Sequence, residues 1–305
     1  MNFGQDHIAE SKRRRRIGHA QLKREDQLRS QLGGDPRTAL LTGTVAEKQI
    51  AVAYYANTGQ KDGLRGADLT GVDASKYRLG GFDFTGATLN YAKLGYVSGA
   101  KLDHTRSIGL VTAGGDTSGS SWRGAMVIKG NARNSNRRNQ NMNGSIVALT
   151  DSSGSDSEGL KFHGVGVGNQ HGGENLTGAV IGGWNFMCSF NGAHAPGGTI
   201  TGRADFSDLS RANFTKGIVQ ITGQNITAHN AMFDEARVSL GEEKNAESAN
   251  LDQAIIVDDK LAAVVAQGVV QRRAPRMFDE LKVMAVPPAH VIRHVPKLRQ
   301  AGLGL

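Results

Sequence analysis

Residues 65–94 read RGADLTGVDASKYRLGGFDFTGATLNYAKL and divide in register into ADLTG, VDASK, YRLGG, FDFTG, ATLNY and AKLGY. The unit centres are Leu69, Ala74, Leu79, Phe84, Leu89 and Leu94. A helix face needs apolar residues three and four apart, and a half-buried strand needs strict alternation. A spacing of five fits neither. It fits a coil in which each unit makes one short side and a turn, so that four units return the chain above its start and the centres stack inward. Two positions before the centres stand Ala67, Val72, Tyr77, Phe82, Ala87 and Ala92, mostly small or apolar, which suits a narrow axis. Each coil then advances by one strand spacing, about 4.8 Å, and its backbone groups pair with the coils above and below. The sequence predicts a β-solenoid.

The pattern resembles the pentapeptide-repeat family: a small residue, then Asp or Asn, then Leu or Phe, then two polar residues. Ala67-Asp68-Leu69, Phe82-Asp83-Phe84, Ala204-Asp205-Phe206, Ala212-Asn213-Phe214 and Ala249-Asn250-Leu251 carry the resemblance. It implies an all-β fold, a right-handed quadrilateral β-helix, with Phe206, Phe214, Phe233 and Leu251 as further inward centres. Register breaks twice. Leu94 to Leu102 and Phe206 to Phe214 are each eight residues, so the register slips by three or a side is shortened.

Around the repeats we expect three segments: a basic arm at 1–37, the solenoid at 38–258 with its clearest repeats at 64–104 and 204–256, and a basic tail or cap at 259–305. Within the first, Leu22, Leu28 and Leu32 before Gly33-Gly34 predict a charged helix with a glycine stop. The β-rich stretch TALLTGTVAEKQIAVAYY, 38–55, predicts one or two strands that cap the first coil, since an open solenoid end is an unpaired edge. Polar KGNARNSNRRNQNMNGS, 129–145, predicts a loop excursion. Between 146 and 198 apolar residues are sparse among Gly, which predicts irregular coils. After Asp258, DKLAAVVAQGVVQ predicts a helix, and Pro275, Pro287, Pro288 and Pro296 divide the remaining tail into short pieces.

Gly makes up 41 of 305 residues, roughly twice the usual share of about 7%. Tight turns are therefore many. One Cys, Cys188, leaves no intrachain disulfide, and no apolar leader or span of ~20 residues is visible. We expect a soluble protein of the cytoplasm, or one incorporated in a virion assembled there. The net charge of +8 is uneven: +5 in 1–66, −2 in 67–258 and +5 in 259–305. Two basic arms flank a nearly neutral body.

No cofactor, metal or catalytic constellation is predicted. Gly164-Val165-Gly166-Val167-Gly168 lacks the third glycine and the βαβ context of a nucleotide loop, so a turn-rich coil is the reading. His290 and His294 share a helical spacing without a third ligand, His163, His171 and His194 read as surface or stacking groups, and Cys188 as a small buried hydrophobe. The Asp and Asn residues before the centres read as hydrogen-bonders at corners. Lys12, Arg13, Arg14, Arg15 and Arg16 form the polyanion- or partner-binding candidate. Such a run serves phosphate binding, a transport signal, an anionic partner surface or plain solvation.

These features predict a non-enzymatic structural or interaction protein, a rigid building block or cement of a larger assembly such as a virus or phage particle. Its partners would be copies of itself or assembly subunits, with nucleic acid or another polyanion on the arms. The resemblance implies two alternatives: a regulator that binds a DNA topoisomerase by mimicking DNA, and a bacterial effector that binds host proteins. Mimicry of DNA needs a strongly acidic rod. A body of −2 does not supply one.

Overall fold

The computed structural model describes residues 19–223 and 225–240, together with two short strands at 255–256 and 293–294. Three helices come first: α1 (His19–Leu32), α2 (Pro36–Thr42) and α3 (Val45–Thr58). They replace the strands expected at 38–55. The reason is local: Asp35 accepts from the Thr38 amide ahead of Pro36, Thr44 and Glu47 form a reciprocal capping box, and Gly59 at φ +67° ends α3. End signals outweigh the β-branched content, and the buried Lys48, Ala51, Val52 and Tyr55 follow helical spacing. These helices close the first coil. The Asp68 amide donates to the Leu40 carbonyl at 3.0 Å, Lys48 pairs with Asp68 at 2.6 Å, and the Asp73 amide donates to Gln49 at 3.0 Å.

Above the cap the chain climbs as a parallel β-solenoid. The column Asp83, Lys101, Ser121, Asn141, Lys161, Val180, Thr199, Ile218 and Arg237 marks nine successive coils. Its strands are β1 (Asp73–Arg78), β2 (Lys93–Tyr96), β3 (Arg106–Ile108), β4 (Met126–Ile128), β5 (Ile146–Ala148), β6 (Lys161–Val167), β7 (Val180–Phe186), β8 (Thr199–Arg203), β9 (Ile218–Thr222), β10 (Arg237–Ser239) and β11 (Ile255–Ile256). Pairing is parallel throughout these eleven.

Coil length explains both register breaks. Asp73 pairs with Lys93 and Ala74 with Leu94 but Arg78 with Tyr96, so the side that follows Leu94 is two residues short and Val97 is its one inward residue. From β6 on, Ile146 pairs with Val165 while Asn141 pairs with Lys161, so one side loses a residue and the coil shortens from 20 to 19. The coils from there to β10 keep that length. At the shortened corner Gly164, Gly183 and Gly202 stack, and a Cβ on Gly183 would lie 2.1 Å from the Gly164 carbonyl oxygen. Only glycine fits there.

Register corrects one predicted centre. Phe206 is 46% exposed at φ +55°, whereas Ser207 and Leu209 point inward. The missing residue at 199–203 moves every following position by one, and a slip of one exchanges inside for outside. Leu69, Leu79, Phe84, Leu89, Leu94, Phe214 and Phe233 are buried, and Phe214 stacks on Phe233 at 5.6 Å. Leu251 lies outside the described residues.

The predicted loop at 129–145 is regular solenoid. Asn131 bridges Asp151, Asn136 bridges Asp156, and Asn141 bridges Lys161. The segment looked like a loop because its inward residues are polar: Ser135, Arg137, Gln140 and Ser145 are all buried. They are paired inside. Arg137 donates to Glu174 at 3.1 Å and to Gln140 at 3.2 Å, and Gln140 donates to Thr117 at 2.9 Å and Ser120 at 3.2 Å. Glu174, fully buried, also accepts from Ser152 at 2.7 Å, His171 at 2.7 Å and Ser157. Burial pushes the Glu174 carboxyl up, but the charges and donors of His171, Arg137 and Ser157 outweigh it and hold the group below its usual range. The core is thus apolar at both ends and polar in the middle.

At the corners, Asp and Asn side chains accept from the amide two residues on, as in Asp68 to Thr70 (3.0 Å), Asp83 to Thr85 (2.8 Å), Asp208 to Ser210 (2.8 Å) and Asn213 to Thr215 (2.9 Å). For Asp68, Asp83 and Asp208 burial raises the carboxyl, and the paired donors more than reverse this and lower it. A lowered native value means stability that is present above the unfolded value, ~3.9, and is lost as pH falls through the native ones. The melting temperature should therefore hold down to about pH 4 and drop below it. A flat profile to pH 2 would contradict the corner assignment.

Candidate interaction face

One side of the solenoid carries apolar side chains outward. Its first column is Arg106, Met126, Ile146, Val165, Trp184 and Arg203, in direct register, and its second is Ile108, Ile128, Ala148, Val167 and Phe186. The corner at the end of this side repeats as Tyr91, Gly109, Lys129, Leu149, Gly168, Met187 and Phe206, and the amides of the first six each donate to a carbonyl of the coil above. Of the thirteen large hydrophobic residues left exposed among the described residues, eight lie on this side or its corner: Tyr91, Ile108, Met126, Ile146, Leu149, Trp184, Met187 and Phe206. Chance does not place them so.

Backbone conformation strengthens the point. Tyr91, Leu149, Met187 and Phe206 adopt φ between +54° and +55°, a region that disfavours bulky residues. Other described corners in this conformation use Gly, Asn, His, Lys, Arg or Glu. The four large apolar exceptions share one column. Strain of this kind persists where the surroundings or the function require it.

The upper end of the face is aromatic. Trp184 meets Phe186 edge-on at 6.2 Å and Phe186 meets Phe206 at 5.6 Å. Beside them Arg203 pairs with the buried Asp205. The lower end carries Arg106 and Lys129 on the same columns.

Lys12, Arg13, Arg14, Arg15 and Arg16 lie outside the described residues. His171 occupies an inward position, stacked on Phe190 at 4.7 Å, and His294 falls on the strand β12 (Arg293–His294), with His290 outside the described residues. Gly164 to Val167 belong to β6, where a Cβ at Gly164 would meet the Ser145 carbonyl oxygen at 2.1 Å; these glycines allow close stacking of coils. Among the described residues no group of three or more His, Cys, Asp or Glu is placed to hold a metal, and no helix is long and apolar enough to cross a membrane. Cys188 is buried, and burial pushes its thiol up to about 11. It should resist a thiol reagent at pH 8 in the native protein and react with one equivalent after denaturation. Fast native labelling would show that the coil around 188 is open.

Sequence reasoning missed this face because its residues come from coils about 20 positions apart. The signal was present: once coil length is known, positions 126, 146, 165 and 184 form a column. It needed the 20-to-19 change to read.

A chain that stacks short sides into parallel coils, with inward pairs at each side, is a quadrilateral β-solenoid. Residues 64–106 match the family described as Pentapeptide repeats, in 8 copies. The coils above 106 continue the stack beyond the matched segment. No curated protein matches the chain in sequence. Among solved structures, HetL, a pentapeptide repeat protein involved in heterocyst differentiation regulation from the cyanobacterium Nostoc sp. strain PCC 7120, is similar with a TM-score of 0.41 at 13% identity, over 68% of this chain and 95% of that one. Full-length QnrB1, a plasmid-mediated fluoroquinolone resistance protein, gives 0.36 at 10% identity, over 59% of this chain and 95% of that one.

Proposed function

We propose that the chain is a non-enzymatic interaction protein: a rigid solenoid that docks a protein on its apolar face and serves as a building block of a larger assembly. The observation that carries this is the concentration of eight exposed large hydrophobic residues on one side. Contiguous apolar surface rimmed by charge marks interaction sites. Backbone pairing from coil to coil supplies the rigidity, and a preformed flat face loses little entropy on docking. Incorporation in a virion is one form of that assembly, with the basic ends of the chain reaching neighbouring subunits.

Mimicry of DNA is the weaker reading. From 67 to 240 the chain holds 15 basic and 13 acidic residues, a net +2, so the described solenoid lacks the acidic surface that mimicry requires.

A photo-crosslinking amino acid at position 184, in cells that express the protein, tests the proposal against the same probe at Ser189. Position 184 should give a discrete crosslinked protein and 189 none. Equal labelling at both positions, or none at 184, would reject a docking face.

A further inference from the structure

We infer that the occupant of the apolar face is a second copy of this chain, packed face to face with its axis antiparallel. This rests on the docking reading above and names the partner. Taking ~200 Å² for a large side chain and exposed fractions of 38% to 65%, the eight residues expose on the order of 800 Å². That exceeds the few hundred Å² that monomers leave uncovered and equals the ~800 Å² per partner of a standard interface. A single extended peptide is too narrow to cover two columns and a corner. A second flat sheet face is not, and two sheets pack face to face at about 10 Å.

Charge sets both the partner and the direction. The chain's own segment 259–305 carries 8 basic and 3 acidic residues, and the face presents Arg106 and Lys129 while its Asp205 is already paired with Arg203. A basic segment would be repelled. Two copies with parallel axes would hold Arg106 and Lys129 at the same height as their symmetry mates and gather four cations at one end of the contact. With antiparallel axes, and the two-fold between the coils of Ile146 and Val165, Met126 faces the second copy's Trp184, and Lys129 comes over its Trp184–Phe186–Phe206 cluster. Lys129 then meets aromatic faces, Arg106 comes opposite an Arg203 whose charge Asp205 already balances, and a two-fold contact makes every such pair twice.

Sedimentation of the purified full-length protein should give the two-chain mass at micromolar concentration. Trp184→Glu should give the one-chain mass with an unchanged circular-dichroism spectrum, and Lys129→Glu should raise the dissociation constant tenfold or more. Lys216→Glu, on another side, should leave it unchanged. A wild-type protein that stays a monomer to about 100 µM, well above the Kd of a standard interface, would overturn the inference, and so would a dimeric Trp184→Glu variant that keeps the native spectrum. The crosslink from position 184 identifies the occupant. Attachment to residues 126–129 of a second copy supports the antiparallel dimer, whereas attachment to residues 184–187 of a second copy overturns the direction. A monomer crosslinked to a different protein rejects the second copy and leaves the docking reading standing. A monomer crosslinked to its own residues 241–305, or to nothing, rejects both.

Discussion

Arg137→Met alone should lower the stability of the solenoid by about 3–5 kcal/mol, because it leaves the Glu174 carboxylate inside the coil without its guanidinium partner, with His171 and the serine hydroxyls as its remaining contacts. Glu174→Gln should cost a similar amount by stranding the guanidinium, whose other protein partners are Gln140 and the Met142 sulfur. The informative variant is the double one. If the pair is coupled, Arg137→Met with Glu174→Gln should cost at least about 2 kcal/mol less than the two single losses together. Strict additivity in denaturant unfolding would mean that the ion pair does not join these coils. Acidity gives a second readout of the same group. Glu174 is held below its usual value of about 4.5, so its contribution is full above that pH and fades as pH falls through the native value. The gap between wild type and Glu174→Gln should therefore narrow below pH 4.5 and stay constant above it.

This network also shows why part of the fold was illegible. In the coils from 67 to 102 the inward residues are Leu, Phe, Ala and Val, and the five-residue period can be read directly from hydrophobicity. Between 105 and 174 many inward positions hold Thr, Ser, Arg, Gln and Glu, with the same geometry and a different chemistry. Hydrophobic patterning fails there. A buried polar group is tolerated when it is hydrogen-bonded, so the polarity that predicts a loop at 129–145 is compatible with regular coils. The Asp and Asn corners did persist through the segment, at Asn131, Asn136, Asn141, Asp151 and Asp156, and a period read from corners would have found the coils. At the N-terminus the capping signals Asp35-Pro36 and Thr44 to Glu47 were equally visible, but were outweighed by β-formers between them. The apolar face was illegible for a different reason: it is a property of stacking, and no local window contains two of its coils.

The second large effect separates two residues three positions apart. Leu209→Asp should unfold the coils around it, whereas Phe206→Asp should leave the melting temperature within a few degrees of wild type. Leu209 is completely buried between coils that pair at Ser189, Asp208 and Thr227. Removing its side chain alone costs about 2–5 kcal/mol, and a carboxylate there has no cation to meet, so it must be protonated or drag the coil open. Against a total of about 5–15 kcal/mol, that is enough to unfold much of the upper stack. Phe206 instead stands on the corner, 46% exposed and in contact with Phe186. Its replacement gives up one edge-on aromatic contact, worth about 0.5–1.5 kcal/mol, and relieves a bulky side chain from a left-handed backbone. The sequence motif Ala204-Asp205-Phe206 argues for the opposite outcome, since it matches the repeat better than Ser207-Asp208-Leu209 does. A severe Phe206→Asp and a benign Leu209→Asp would restore the motif's register and dissolve the exposed aromatic cluster. The expected result would establish that coil length, set by the side one residue short at 199–203, overrides the local motif in deciding which residues face the core and which face a partner.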